Sequence, residues 1–200
     1  DAASDASTRA NRIIDGRYNC LGYEGLSYAG NDGSVDWHLD PVRQRRAPLL
    51  FWADVPYLVS ARVGDHKVTW EINRHQHWLT LGRALWLTGD RRYGSAIVSQ
   101  LEGWMAANPP LIGINWRSAL ELGFRSLSWL WAMHFLMADV DDDGAGPQSP
   151  WLLDLLLGLD RQLRHLEQNL SYYFSPNTHL TGEALALYAI GLSVPELASS

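Results

Sequence analysis

Lys67-Val68-Thr69-Trp70-Glu71-Ile72-Asn73-Arg74-His75-Gln76-His77-Trp78-Leu79-Thr80-Leu81-Gly82-Arg83-Ala84-Leu85-Trp86-Leu87 is the stretch whose reading decides the fold. Asp65 precedes it as an N-cap, and Gly89 lies just beyond its end. At ~100° per residue, Val68, Ile72, His75, Leu79 and Trp86 fall on one side. Trp70, Arg74, His77, Trp78, Leu81 and Leu85 fall nearly opposite, with Asn73, Gln76, Thr80 and Arg83 between. A helix that is apolar on two faces packs between two neighbours. The pattern therefore predicts one helix over residues 67–87, inside an array of helices.

Working outward, Thr88-Gly89-Asp90 is a short link to a second helix, capped by Asp90 and running to Ala107 before Asn108-Pro109-Pro110. So short a link makes an antiparallel helical hairpin. A third helix is predicted from Trp116 to Met137, with Arg117, Glu121 and Arg125 spaced as an ion ladder on one face. A fourth runs from Ser149-Pro150 to Leu170, and a fifth from the stretch Ser175–Glu183 to Ile190. Between helices three and four, Asp139-Val140-Asp141-Asp142-Asp143-Gly144 matches the first half of an EF-hand calcium loop. The match fails at its twelfth position, which is Pro150 rather than Glu, so a solvated acidic loop is expected.

Before residue 66 the pattern changes. Residues 1–34 read as loop with short strand or turn pieces, punctuated by glycines and by Asn31-Asp32-Gly33. Residues 35–56 alternate aromatic and acidic side chains between prolines, which suggests an extended segment lying across a surface. No long helix is expected in this region. The reading is an all-α protein: successive antiparallel hairpins without the strict period of the common helical repeats, forming an incomplete (α/α) toroid or a solenoid. Residues 1–65 form an extended N-terminal segment packed on a helical domain over 66–200. Five helices are an odd number for a hairpin array, so the chain is expected to continue in the natural protein.

Composition narrows the function. The net charge of −6 gives no support for nucleic-acid binding, which usually needs a basic patch. No apolar run reaches the ~20 residues of a membrane span, and nothing resembles a signal peptide; in an exported protein the signal has been removed or lies outside these residues. Cys20 is the single cysteine, so there is no disulfide framework within the chain. Ten tryptophans are many for 200 residues; such rings stack well on sugars, and equally fill gaps between helices. No phosphate-binding loop, dinucleotide glycine pattern or nucleophile elbow is present, and no cofactor is implied. His75 and His77 do not share a helix face at four-residue spacing, so no metal pair is expected.

Four polar groups could carry chemistry. Ser175-Pro176-Asn177-Thr178-His179-Leu180-Thr181-Gly182-Glu183 places an amide, an imidazole and a carboxylate at a helix start, where backbone N–H groups and partial positive charge favour anions. Asn177 can donate to an anionic group there, His179 can act as acid or base, and Glu183, four residues on, can orient the ring; helix capping explains the stretch equally well. In the second group, Asn73, Arg74 and His75 are substrate-contact candidates or members of an inter-helix polar network. Arg74 lies on an apolar face, where an unpaired charge is costly; it needs Glu121, Glu71 or a substrate. In the third, Asn115 and Trp116 begin helix three, where they suit a sugar carboxylate or a simple cap. In the fourth, Trp37-His38-Asp40 can tether the extended segment. Glu71, Glu121 and Glu183 could supply the carboxylate pair of a glycosidase, but no spacing places two of them together.

Taken in order, Trp37-His38-Leu39-Asp40-Pro41, Gly64-Asp65-His66-Lys67 through Trp70-Glu71-Ile72-Asn73-Arg74-His75, Leu87-Thr88-Gly89-Asp90, Asn115-Trp116 and Asn177-Thr178-His179-Leu180-Thr181-Gly182-Glu183 resemble the heparinase II/III family of polysaccharide lyases. The resemblance runs from about residue 35 to the end. It implies an N-terminal α/α toroid, normally followed by a β-sandwich domain that lies outside this chain. It also implies β-elimination at a uronic acid, with an anionic polysaccharide as partner, no nucleic acid and no membrane insertion. By the same resemblance Asn177 is the candidate neutraliser of the C5 carboxylate and His179 the candidate base or its partner. The family's catalytic Tyr and a further His come from beyond Ser200, so this stretch alone is expected to be inactive. A periplasmic or secreted location is expected. The other reading is a non-catalytic glycan-binding or scaffold toroid.

Overall fold

Arg74, His75 and Gln76 interrupt the helix predicted over residues 67–87. In the computed structural model, which describes residues 1–138, 150–173 and 175–197, two helices stand there: α3 (His66–Asn73) and α4 (His77–Thr88). His75 between them has φ 57°, a left-handed conformation that a non-glycine residue holds only where its surroundings fix it. The surroundings are aromatic. The His75 ring is fully buried, stacks on Trp78 at 4.1 Å, and accepts a hydrogen bond at Nδ1 from the Trp129 indole N–H at 2.7 Å. The break shifts the rotational phase of everything after it. Trp86, expected on a packed side, is 73% exposed, while Trp78, Leu81 and Leu85 are buried.

The hairpin that follows is as expected. Gly89 closes α4 in the left-handed conformation with its N–H on the Leu85 carbonyl, and the Asp90 carboxylate accepts from the Arg92 N–H at 3.0 Å to start α5 (Arg92–Ala107). A 3-10 turn, Ile114–Trp116, leads into α6 (Ala119–Ala138). α6 is the spine of the molecule: it packs against α3, α4, α5, α7 (Pro150–Gln168) and α8 (Thr178–Ser193). Close packing needs small residues at the crossings. At Gly158 of α7 an added Cβ would collide with Cζ3 of Trp129 and lie 3.0 Å from its Cη2, so only glycine lets α7 approach α6 there.

The predicted ion ladder on α6 does not form. Arg117 lays its guanidinium over the Tyr57 and Trp52 rings, 4.8 and 5.5 Å from their centroids. Glu121 faces Arg74, and Arg125 turns into the core. There it donates to Gln162 Oε1 (2.6 Å) and to the Asn115 carbonyl (3.0 Å), with the Trp104 ring 4.5 Å away. Each of the three finds a partner on another element, because Arg117 precedes the helix and the first turns of α6 are enclosed by neighbouring elements. Burial lowers the Arg125 pKa to about 9.

The N-terminal region departs furthest from expectation, since it opens with a helix. Asp1 caps α1 (Ala2–Ile14) by accepting from the Ser4 N–H at 2.8 Å, and Ala6, Ala10 and Ile13 form its buried stripe against α4. A short antiparallel pair, β1 (Tyr18–Cys20) with β2 (Tyr23–Leu26), follows, and then a second, β3 (Leu39–Asp40) with β4 (Arg45–Arg46). A single helical turn, α2 (Ser60–Val63), precedes α3. The fully buried Asp40 carboxylate ties this region to the helices: it accepts from the N–H groups of Val42 (2.9 Å), Arg43 (3.2 Å) and Asp65 (2.7 Å). Gly64 (φ 76°) makes that approach possible, because a Cβ there would meet the Asp40 side chain. The protein is mostly helical with little strand, in agreement with the all-α reading. The acidic segment 139–149 lies outside the described residues.

Candidate functional site

A cleft of about 640 Å³ opens where the N-terminal region, α3, the start of α6 and the junction of α7 with α8 meet. Its walls carry Trp52, Tyr57 and Trp70; Lys67 from α3 and Arg74 just after it; Arg117 before α6; His165 and Asn169 at the end of α7; and Ser171, Tyr173 and His179 beyond it. Aromatic faces, cations and imidazoles thus share one opening in an acidic protein.

Arg74 is the most constrained of these groups. Its Nε donates to Glu121 Oε2 (2.6 Å), its Nη2 to Glu121 Oε1 (2.9 Å) and its Nη1 to Glu71 Oε2 (3.0 Å). Both carboxylates weighed as partners therefore hold it, and through it Glu71 and Glu121 come together. The Glu121 hydrogen bonds, above all, raise the Arg74 pKa. Arg117 contrasts with it. Among the described residues no carboxylate pairs with Arg117; two aromatic rings hold it, and its Nε is buried without a hydrogen-bond partner. It is a pre-positioned cation with donors to spare.

His165 escaped the sequence reading. It lies at the cleft wall, nearly buried, edge-on to Trp52 at 4.9 Å between ring centroids. Its Nε2 is 3.0 Å from the Trp116 carbonyl, which can only accept, so the proton sits on Nε2. Nδ1 then carries the lone pair, facing Asn169 Nδ2 at 3.4 Å. Burial lowers the pKa of His165, and the neighbouring Arg125 charge adds to that, so the ring is neutral at pH 7. The signal was available: a histidine among Leu155, Leu159, Gln162 and Leu166 on the buried stripe of α7, with Asn169 four residues on.

Asn177 caps α8 as its position suggested. Oδ1 accepts from the Thr178 N–H (2.6 Å) and from the Ser175 hydroxyl (3.1 Å). This leaves the amide Nδ2 hydrogens directed away from the cap, so capping and donation to an anion are compatible. His179, one residue into the helix from Thr178, lines the cleft. Glu183 is fully buried and accepts from Ser171, N–H to Oε2 at 2.8 Å and hydroxyl to Oε1 at 2.6 Å. It thereby fastens the segment between α7 and α8, and with it this part of the cleft wall, to α8.

Asn73, His75, Asn115 and Trp116 sit behind the cleft, each 3% exposed or less. Asn73 Nδ2 donates to the carbonyls of Trp37 (2.8 Å) and Thr69 (2.7 Å), and its Oδ1 accepts from the Trp104 indole at 2.9 Å. Asn115 Nδ2 donates to the same Trp37 carbonyl (3.0 Å) and to Asn108 Oδ1 (2.8 Å). His38 donates from Nε2 to the Ala107 carbonyl at 3.1 Å. These residues make a polar and aromatic frame that sets where α3, α5 and the turn before α6 meet. Among the described residues no three His, Cys, Asp or Glu side chains converge to hold a metal ion, and no helix is long and apolar enough to cross a membrane.

No curated protein and no solved structure matches the chain. The family described as Heparinase II/III N-terminus matches residues 5–200, which takes in the frame, the cleft and α8 together. By that match, over nearly its whole length, the chain belongs to the heparinase II/III family as its N-terminal domain.

Proposed function

We propose that this chain supplies the toroid half of the site of a polysaccharide lyase that cleaves a uronic-acid-containing glycan by β-elimination. The observation that carries the reading is Arg117: a cation without a carboxylate partner among the described residues, clamped between Trp52 and Tyr57 in a cleft that also holds His179 and His165. A guanidinium suits a sugar carboxylate because its fork of N–H donors matches the two oxygens. The flanking rings suit the apolar face of a pyranose.

In β-elimination a base takes the C5 proton while the adjacent carboxylate is neutralised, and the glycosidic C4–O bond then breaks with a proton going to the leaving oxygen. Asn177 Nδ2 donates to the C5 carboxylate without itself titrating, and the start of α8 favours the enolate-like charge that follows. His179 is the base or its partner. Arg117 grips the carboxylate of a neighbouring uronate. Arg74, held by Glu71 and Glu121, fixes the spacing of α3 and α6 rather than offering a free charge.

The test is formation of unsaturated uronate, read by ultraviolet absorbance, from alginate, heparan-type and bacterial exopolysaccharide substrates with the natural protein, and its loss in Asn177→Ala. No unsaturated ends on any uronate polymer, with oligouronates still bound, would leave the glycan-binding scaffold as the correct function. No binding at all would reject both.

A further inference from the structure

A second cleft, also about 640 Å³, lies between α1, the β1 strand and the far side of α3. The two clefts adjoin. Glu71 borders both, and the consecutive residues Cys20 and Leu21 at the β1–β2 turn face one cleft each. The charged lining of the second cleft is Arg9, Arg12 and Arg17 against Asp5 and Glu71. Arg9 is paired with Asp5 at 3.2 Å, and Glu71 with Arg74 at 3.0 Å. Arg12 and Arg17 are both exposed and have no ion pair among the described residues. The lining thus sums to +1, three arginines against two carboxylates, with Arg12 and Arg17 as the cations that have no fixed partner, in a protein whose net charge is −6. Gln76 and Thr80 add neutral hydrogen-bonding groups, and no exposed aromatic face lines this cleft, so recognition there is of charge and hydroxyl rather than by ring stacking.

We infer that the α1 cleft is a remote subsite that takes the carboxylate or sulfate groups of the same glycan, several sugars away from the reacting residue. The inference rests on the proposed glycan-binding reading of the first cleft. Arg12 also sits in the last turn of α1, where a cation complements the helix dipole. That role would give it an effect on stability and none on ligand length, and Arg17, beyond the helix, does not share it.

The consequence is a dependence on chain length. An oligouronate that fills only the first cleft is indifferent to Arg12 and Arg17, and one long enough to pass Glu71 is not. The experiment is a titration of the protein with an unsulfated uronate disaccharide and with a decasaccharide of the same polymer, by calorimetry at low and physiological salt. The native protein is compared with the double variant Arg12→Gln/Arg17→Gln. The expected result is unchanged disaccharide binding and decasaccharide binding weakened roughly three- to thirtyfold, as two exposed ion pairs contribute, with a shallower salt dependence and only the small fall in melting temperature that loss of the Arg12 interaction with the α1 dipole brings. Equal losses on both ligands, or none on the decasaccharide, would overturn the inference while leaving the first cleft's function standing. Failure of the native protein to bind either ligand would instead remove the reading on which the inference rests.

Discussion

Replacing Glu121 by Gln severs the tightest ionic link across the cleft floor while keeping the shape of the side chain. The Glu121 side chain is only 6% exposed and accepts two hydrogen bonds from Arg74. At ~4 Å and an effective dielectric of ~20, such a pair attracts by about 4 kcal/mol. Three effects reduce the loss. Arg74 is a quarter exposed, it keeps Glu71, and the carboxylate no longer has to be desolvated. Against them, the Gln amide turns an N–H₂ toward one arm of the guanidinium. The expected net loss is about 2 kcal/mol, or a fall in melting temperature of about 4–8 °C for a domain of this size. The assay is thermal unfolding by circular dichroism, at low and high salt. Little salt sensitivity is expected, because the pair is mostly enclosed. The double variant Arg74→Met/Glu121→Leu is expected to recover much of the loss, since neither charge is then left buried alone. A melting temperature for Glu121→Gln within about 1 °C of native would refute the claim that this bridge fixes α3 on α6.

Gly158→Ala is expected to destabilise the fold by about 1–3 kcal/mol, through overpacking against Trp129, and chemical denaturation will measure it. Stability is also expected to fall on acidification, because burial lowers the His77 pKa from its ordinary 6.5 to about 4 and holds that of His75 well below its ordinary value. The folded state then binds fewer protons than the unfolded chain in that window, so stability is complete above about pH 6.5 and is lost toward pH 4 by about 3 kcal/mol for His77 alone; a His77→Gln variant will show a flatter profile in urea melts. Asn73→Ala strands the Trp104 indole N–H in the core and is expected to cost about 2–4 kcal/mol, seen as a lower urea midpoint with a blue-shifted or broadened tryptophan emission.

How much of this was legible in the sequence varies by element, for physical reasons. The hairpin at Thr88-Gly89-Asp90 is written locally: a glycine that can be left-handed, then an aspartate that caps, and nothing distant alters either. The break at His75 is not written locally, because helix-forming residues and apolar spacing continue straight through it. What holds it is Trp78 on one side and Trp129, more than fifty residues away, on the other. α1 was missed because its buried face is only Ala6, Ala10 and Ile13, too small an apolar signal beside its Ser and Asp residues. At the site, the demand for a carboxylate at Arg74 could be read from a charge on an apolar face, and Glu71 and Glu121 meet it. The identical four-residue spacing of Arg117, Glu121 and Arg125 misled, because Arg117 precedes the helix and the enclosed first turns of α6 send Glu121 and Arg125 to different partners. Asn177 and His179 were readable as a helix start. The gathering of His165, Asn169 and Arg117 around the same opening depends on the meeting of three elements, which no local spacing encodes.

The central claim is that the cleft at Arg117 and His179 receives a uronate through its carboxylate. The most direct measurement is the quenching of tryptophan fluorescence by an oligouronate, set beside the same oligomer with its carboxyl groups reduced to alcohols; Trp52 and Trp70 in the cleft wall are the reporters. The account predicts saturable quenching with the acidic oligomer, and binding at least about tenfold weaker both with the reduced oligomer and in Arg117→Gln. Equal binding of the acidic and reduced oligomers, or an Arg117→Gln variant that binds as the native protein does, would contradict it.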